Sequence, residues 1–479
     1  MLSSLATIKA KMGVIVRSSP EVISLRAADG KWEAALRGSM LVGLGAGCKS
    51  WADKIDGPIL PKIGSLLQIL SFGVAAILFA ALGLHQFTSD KGGLAMIAMF
   101  GFALWLGGYL LGGKETRRAS AIDIIVLLYF ATNVVAACAS HYFQASLHGL
   151  EKLFIYICSY FYFTSVLNNA PKRRVLLTAV LVAAATAVSL YGLYEYKIGG
   201  QPPLATWEDP TIEVQGIRLY STLDNPNLLA GYLIPIAPLA LGLAFAAIAG
   251  KRYLLSIPAF GAAILIGVAT ILTGSRGGYI AIGAAVALAG VMVVARAWQL
   301  KPKLRVPLII LCIVVPLVLV LALHFVPSFE QRLTSIFAGR EHSSNSFRMN
   351  VWHSSIQMLK DNWWFGVGPG NQAFVLAYGL YMRSGFDALG TYCVPLEVAV
   401  ETGVLGLASF AVLILSLCAR GHLSFWSRSL DTGKWLTALA VASLVGMMAH
   451  GLVDTVFYRP QVQFIFWLLV ALIVSDKKD

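Results

Sequence analysis

The chain has 479 residues, of which 57% are hydrophobic and 13% are charged, and its formal net charge is +13. Since a soluble domain carries roughly 25% charged residues, this composition, with a mean hydropathy of +0.73, excludes an ordinary water-soluble protein. The six cysteines are scattered and mostly lie in apolar runs, which excludes a disulfide framework and a zinc site of the usual spacing. Repeated apolar runs of about 20 residues predict an all-α, polytopic membrane protein.

Composition divides the chain into three parts. Residues 1–62 form a mixed, mildly basic arm that we predict to be cytoplasmic. Residues 63–475 are predicted to form one transmembrane domain of about twelve helices. Within this domain, residues 327–402 connect the ninth and tenth spans, and the length of this extracytoplasmic loop indicates a small functional unit. The spans are expected at about 64–84, 93–113, 121–140, 153–168, 175–195, 228–249, 253–273, 278–295, 306–326, 403–419, 437–456 and 461–475.

The distribution of basic residues predicts the orientation of the chain. Cytoplasmic loops are enriched in Lys and Arg because these residues are costly to translocate. With the N-terminus inside, the six inner connectors carry 17 of the 37 Lys and Arg residues, and the N-terminal arm carries 9. We therefore predict a multi-pass protein of the plasma (inner) membrane with both termini in the cytoplasm. The positive charge then lies against anionic lipid headgroups and does not require nucleic acid as a partner.

The long outward connection contains a predicted helix. In residues 345–361, NSFRMNVWHSSIQMLKD, apolar side chains recur at three- and four-residue spacing. Trp352, with Trp363 and Trp364 beyond it, is typical of an interfacial helix that lies on the outer leaflet. The next stretch, WWFGVGPGNQAF, is rich in Gly and Pro and predicts a turn.

Two arginines are candidates for binding an anion at the predicted outward face. Arg276 lies in SRGG (275–278), between the seventh and eighth spans, and Arg348 lies four residues before Trp352 on the loop helix. Each has a structural interpretation, since interfacial arginines anchor headgroups and an arginine near a tryptophan makes a cation–π contact. Their functional interpretation is phosphate binding, because a planar guanidinium can hold two phosphate oxygens at once.

Two further groups carry candidates for acid–base chemistry. Glu397 and Glu401 are four residues apart and share a helical face, where they can act as base and orienter or solvate a helix start. In HGLVDTVFYRP (450–460), His450 and Asp454 are expected one turn apart, either as an imidazole oriented by a carboxylate or as a structural contact. The catalytic candidates are Glu397, His450 and Asp454, and the substrate- or phosphate-binding candidates are Arg276, Arg348, Arg459 and Trp352. We expect no metal and no cofactor, since arginines can neutralise a leaving diphosphate.

Four motifs follow one another from residue 222 onward: TLDNPNLLAGYL (222–233), TGSRGGYIA (273–281), FRMNVWHSSIQMLKDNWWFGVGPGN (347–371) and PLEVAVETGVLGL (395–407). As an ordered set they resemble the O-antigen ligase and polymerase superfamily of membrane proteins, over roughly residues 175–475. Stretches such as ATWEDPT and AHGLVDTVFYRPQVQ are similar, almost word for word, to a branch of it described as bicarbonate (inorganic carbon) transporters.

This resemblance implies roles for individual residues. The arginines that match Arg276 and Arg348 bind a lipid-linked diphosphate in the ligases. The ligases also carry a catalytic His-Asn pair, and Tyr392 and Cys393 occupy those two positions in this chain. The usual base is therefore missing. Residues that could substitute for it are Glu397, His450 and His353.

Three functions are compatible with this sequence. The first is an enzyme of the glycosyltransferase or O-antigen ligase type, which transfers a glycan from an isoprenoid-diphosphate-linked donor at the outer face. The second is transport of bicarbonate or another small anion, or a transport-associated role, although the spans lack the inverted repeats and buried polar groups of many transporters. The third is non-catalytic binding of the lipid diphosphate. We favour the first, with a lipid-linked glycan donor and membrane lipid as partners.

Overall fold

The computed structural model describes residues 59–84, 92–113, 119–168, 170–198, 218–300, 343–426 and 432–475. In these residues the regular structure is α-helical, apart from two 3₁₀ turns at Ser221–Leu223 and Val456–Tyr458. The predicted all-α class is therefore confirmed, as expected for apolar runs that must satisfy their own backbone polar groups in lipid. The helices are α1 (Ile59–Ala81), α2 (Gly93–Leu110), α3 (Ala121–Ala139), α4 (Phe143–Leu167), α5 (Pro171–Ile198), α6 (Pro226–Leu233), α7 (Ile236–Ala249), α8 (Tyr253–Leu272), α9 (Arg276–Leu300), α10 (Ser343–Asp361), α11 (Asn371–Tyr378), α12 (Val394–Phe425), α13 (Thr432–Gly451) and α14 (Pro460–Val474).

Nine segments of the described chain are long and apolar enough to cross a membrane, judged by length and composition. They are α1 to α5, the pair α6 and α7, α8, α9 and α12. This confirms a polytopic membrane protein. The predicted eleventh and twelfth spans correspond to α13 and to the 15-residue α14. The predicted ninth span, most of the N-terminal arm and residues 327–342 of the loop unit lie outside the described residues.

Three predicted boundaries are wrong. Helix α4 begins at Phe143 rather than near residue 153, because its polar first turns pack against another segment of the chain. Helix α12 begins at Val394 rather than near residue 403, so Glu397 and Glu401 lie within a 32-residue helix. The turn predicted after the loop helix is also shorter than expected, since α11 begins at Asn371.

Helix α14 is surrounded by other helices. Every residue from Gln461 to Val474 is buried, and the helix packs against α4, α6, α12 and α13. A helix that is apolar on all sides is stable where neighbours cover each face. Residues 461–474 are therefore covered by protein rather than by lipid.

Two arginines from other helices bind the carbonyl groups at the end of α14. Arg174 of α5 donates to the carbonyl oxygen of Leu472 at 2.7 Å, and Arg420 of α12 donates to those of Ile473 and Val474 at 3.3 and 2.9 Å. Cations are favoured at a helix C-terminus because its last carbonyl groups have no intrahelical partner. Arg174 and Arg420 therefore lie at the same end of the helix bundle. We call the opposite end, where α12 and α14 begin and α13 ends, the site end.

Candidate functional site

Helix α12 is broken at Gly403, whose φ of +67° is a conformation that favours glycine. Residues 362–370, which we call the glycine loop, bind the backbone groups that the break leaves unpaired. Three hydrogen bonds of 2.9 Å make this contact: from Val404 N–H to Trp363 O, from Val367 N–H to Val400 O, and from Gly368 N–H to Glu401 O. The glycine loop thus completes the hydrogen bonding of a membrane helix, and it anchors helix α10, which precedes it.

The glycine loop also packs against the corner between α3 and α4. The Ser140 hydroxyl donates to the carbonyl oxygen of Val367. A Cβ atom on Gly149 of α4 would overlap the carbonyl group of Pro369, so the two backbones touch at this point. Only a residue without a side chain allows this approach. The glycine loop is therefore fixed between α4 and α12, and with it the C-terminal end of α10.

The two glutamates of α12 point into the protein, with exposed fractions of 3% for Glu397 and 6% for Glu401. Thr391 donates its backbone N–H and its hydroxyl to Oε2 of Glu397, at 3.0 and 3.3 Å. The backbone N–H of Gly370 donates to the carboxylate of Glu401. Each glutamate therefore holds one of the segments that border the site, Glu397 the segment before α12 and Glu401 the end of the glycine loop.

Arg348 of α10 is paired with Asp454, which lies in the turn after α13. Nη2 of Arg348 is 3.7 Å from Oδ2 of Asp454, and the exposed fraction of Asp454 is 6%. Oδ1 of Asp454 accepts the backbone N–H of Val456 at 3.2 Å. Because α13 ends at Gly451, Asp454 lies beyond the helix that carries His450. The expected placement of both residues one turn apart on a helix is therefore wrong, and the carboxylate is turned towards Arg348.

His450 is buried where two helices approach α13 through glycines. A Cβ atom on Gly231 of α6 would lie 3.4 Å from its Nδ1, and one on Gly277 of α9 would lie 3.2 Å from its Cδ2. Within the described residues, the buried Nε2 of His450 has no hydrogen-bond partner. Arg276 is the first residue of α9 and directly precedes Gly277. The helix start that carries Arg276 therefore packs on the end of α13, beside the turn that pairs with Arg348.

The turn before α9 is held by a residue that sequence reasoning missed. The Ser275 hydroxyl accepts the backbone N–H of Gly278 at 3.2 Å and so caps α9. Arg218 donates through Nε to the carbonyl oxygen of Thr273 at 2.9 Å and through Nη2 to Oδ1 of Asn227 at 3.0 Å. Arg218 thus ties the start of α6 to the turn before Arg276. The sequence signal that could have identified Arg218 is its position just before the 222–233 motif.

Tyr392 lies among the charged groups of the site in a rare backbone conformation, with φ of +54°. Its ring centroid is 5.6 Å from that of Phe347 on α10. Burial raises the pKa of Tyr392 above its usual value near 10, so the phenol stays protonated at neutral pH. Smaller effects on this pKa come, in decreasing order, from the charges of Asp454, Arg348, Glu397 and Arg459. These four charged groups therefore lie close enough to Tyr392 to act on it electrostatically.

Two more groups beside the glutamates are held in their neutral form. Burial raises the pKa of the Cys393 thiol, and the charge of Glu397 raises it further. Burial also raises the pKa of Tyr458 well above its usual value, with Glu401 and Glu397 adding to the effect. In the part of the chain that the structure describes, the buried Tyr458 hydroxyl has no hydrogen-bond partner. The sequence pattern gives no signal that would have singled out Tyr458.

The remaining candidates differ in exposure. Trp352 is half-buried on α10, and its buried indole N–H has no hydrogen-bond partner among the described residues. His353, the next residue, is exposed. Arg459 is exposed at the start of α14, where its carbonyl oxygen accepts the N–H groups of Val462 and Gln463. Trp352 therefore faces the protein from the same helix as Arg348, whereas His353 faces away from it.

Residues 261–411 match the family model described as O-antigen ligase. No curated protein matches the chain. The matched segment includes Arg276, Arg348 and Tyr392, and it ends before His450 and Asp454. The match supports the resemblance of the motifs to this superfamily, a family of membrane proteins that transfers glycans. The similarity to the bicarbonate-transporter branch stays a prediction.

Proposed function

We propose that the protein transfers a glycan from an isoprenoid-diphosphate-linked donor to an acceptor at the outward face of the plasma membrane. The observation that carries this proposal is that the start of α9, which carries Arg276, packs on the end of α13, while Arg348 of α10 pairs with Asp454 in the turn that follows α13. Both arginines belong to the segment similar to O-antigen ligases. The basic residues predicted to face the cytoplasm gather at the opposite end of the bundle, which supports an outward site. The partners are then the lipid-linked glycan donor and membrane lipid.

In this proposal, Arg276, Arg348 and Arg459 hold the diphosphate of the donor. Guanidinium groups suit this task because their planar donors match phosphate oxygens and they keep their charge at any physiological pH. The start of α9 adds the positive end of a helix dipole, which favours an anion. Trp352 provides an indole N–H and an aromatic face beside Arg348 for the sugar of the donor. No metal ion is needed to neutralise the leaving group.

Glycan transfer requires a base as well as phosphate binding. The acceptor oxygen bonds to the anomeric carbon, the bond from that carbon to the diphosphate oxygen breaks, and the diphosphate leaves with the electron pair. We assign the acceptor proton to His450, whose Nε2 has no partner among the described residues and which adjoins α9. The nearby Asp454 would stabilise the imidazolium that forms. Glu397 is the second candidate, although Thr391 already donates to its carboxylate.

Non-catalytic binding of the lipid diphosphate is the second candidate function. Tyr392 and Cys393 take the positions of the catalytic His-Asn pair of the ligases, and burial keeps both protonated. Neither residue can then accept a proton at neutral pH. A protein with the phosphate-binding arginines but without a catalytic base would bind the lipid-linked donor without releasing its diphosphate.

Turnover separates these two functions. Purified protein would be incubated with an undecaprenyl-diphosphate-linked sugar and a lipid acceptor, and release of undecaprenyl diphosphate would be measured. We expect release by the wild type and a loss of about 10²- to 10⁴-fold in His450→Gln. The control is His353→Gln, an exposed histidine on α10, which should keep full turnover. Donor binding without release by the wild type would support the binder, and full turnover in His450→Gln would exclude His450 as the base.

A further inference from the structure

The guanidinium expected to bind phosphate already has an anionic partner within the protein. Arg348 Nη2 lies 3.7 Å from Oδ2 of Asp454, and the exposed fractions of the two side chains are 21% and 9%. The hydrogen bond from Val456 N–H holds the Asp454 carboxylate in place at 3.2 Å. An incoming anion must therefore compete with a carboxylate that is fixed beside Arg348.

This competition does not affect all anions equally. Asp454 is tethered to the site, so it acts at a high effective concentration without a loss of translational freedom. A singly charged ligand offers Arg348 no more charge than Asp454 does, and it must also be immobilised. A diphosphate carries more charge and more acceptor oxygens than a monoanion, so it offers Arg348 more than Asp454 does.

We propose that Asp454 is a specificity-determining residue, an internal carboxylate that competes for Arg348 and restricts the site to multiply charged phosphate ligands. Bicarbonate and other monoanions are excluded because they cannot displace it. This inference rests on the proposed function, since it concerns the same arginine site, and it goes beyond it by naming what the site rejects. It also predicts that removal of the carboxylate strengthens anion binding.

A purely supporting role for Asp454 predicts the opposite. If the carboxylate only held Arg348 in its binding position, its loss would weaken the binding of every anion. The direction of the change in affinity therefore distinguishes a competitor from a support.

The experiment measures the binding of inorganic pyrophosphate and of bicarbonate to the purified full chain by calorimetry at constant pH. We expect the wild type to bind pyrophosphate and not bicarbonate. Asp454→Asn should bind pyrophosphate roughly three- to tenfold more tightly, the scale of one partly exposed ion pair, and it should bind bicarbonate measurably. Asp387→Asn is the matched control, because it removes one negative charge at an exposed position of the loop unit and should change neither affinity by more than about twofold.

Asp454→Ser provides a second neutral variant if the asparagine variant does not fold. A serine hydroxyl can still accept the N–H of Val456, so the turn keeps its hydrogen bond while the charge is lost. Weaker or unchanged pyrophosphate binding in a folded neutral variant would overturn the inference. So would a wild type that binds bicarbonate as well as pyrophosphate, or one that binds neither. Pyrophosphate binding with the expected change in affinity but no glycan transfer would count against the proposed enzyme alone.

Discussion

The backbone N–H of Val404 donates to the carbonyl oxygen of Trp363 at 2.9 Å and so connects a membrane helix to the glycine loop. A broken helix in lipid would otherwise leave backbone groups without partners, at several kcal/mol for each group. The break at Gly403 and the glycine loop therefore stabilise each other. Because α10 leads directly into this loop, the contact also anchors the C-terminal end of the helix that carries Arg348.

Gly403→Ala should disrupt this contact. A Cβ atom would overlap the carbonyl group of Trp364, and the φ of +67° is unfavourable for alanine. We expect a loss of about 2–4 kcal/mol in the free energy of unfolding, together with weaker diphosphate binding, measured by thermal unfolding and calorimetry. The control is Gly267→Ala in α8, where a Cβ atom would meet nothing within 4 Å. Equal stability of the two variants would show that the break does not depend on the loop.

Arg218→Ala should weaken phosphate binding without removing a group that touches the ligand. The side chain holds the turn before α9 through Thr273 and Asn227, so its loss lets the start of α9 move. We expect the Kd for inorganic pyrophosphate to rise about three- to tenfold, with partial recovery in Arg218→Lys. Arg252→Ala, at an exposed arginine before α8, should bind like the wild type. An unchanged Kd in Arg218→Ala would remove Arg218 from the site.

The helices could be predicted from sequence because a long apolar run in lipid has few alternatives to a helix. The helix that carries Arg348 was also predictable, since its apolar spacing is regular. The start of α12 was not, because Glu397 and Glu401 look like solvated residues until Thr391 and Gly370 are seen to donate to them. The burial of Glu397 and Glu401 depends on donors in other segments, since Thr391 precedes α12 and Gly370 ends the glycine loop.

The sequence singles out candidate residues for the site but does not show which of them pair. Motif order identified Arg276 and Arg348, yet nothing in the sequence indicates that Arg348 pairs with Asp454. The same is true of Arg218, whose role depends on a turn that begins far along the chain at Thr273. Spacing within one helix can be read from a sequence, whereas contacts between segments require the fold.

Cys393 should behave as an unreactive thiol. Only the thiolate reacts with iodoacetamide, and a pKa raised by burial lowers the thiolate fraction at any given pH. We expect slow alkylation at pH 7, with a rate that still rises above pH 10, where an ordinary thiol with a pKa of about 8.5 has levelled off. Mass spectrometry of the modified peptides measures this rate. A rate that levels off below pH 8 would mean that Cys393 is activated and could act as a nucleophile.

Restoring the His-Asn pair of the ligases should replace the proposed base. In the His450→Gln background, Tyr392→His with Cys393→Asn places an imidazole among the groups that surround Tyr392, including Arg348 and Asp454. We expect turnover to recover by about tenfold or more, a modest share of what general base catalysis contributes. The matched control is the same background with Tyr392→Phe. Recovery in neither variant would mean that position 392 does not face the acceptor.

The most direct test of the proposed phosphate site is the affinity of purified protein for undecaprenyl diphosphate in wild type, Arg276→Ala, Arg348→Ala and the control Arg252→Ala. We predict that each of the first two substitutions weakens binding about tenfold or more, since each removes charge-assisted hydrogen bonds, while the control binds like the wild type. Wild-type affinity in both Arg276→Ala and Arg348→Ala would contradict the claim that the two helices hold one diphosphate.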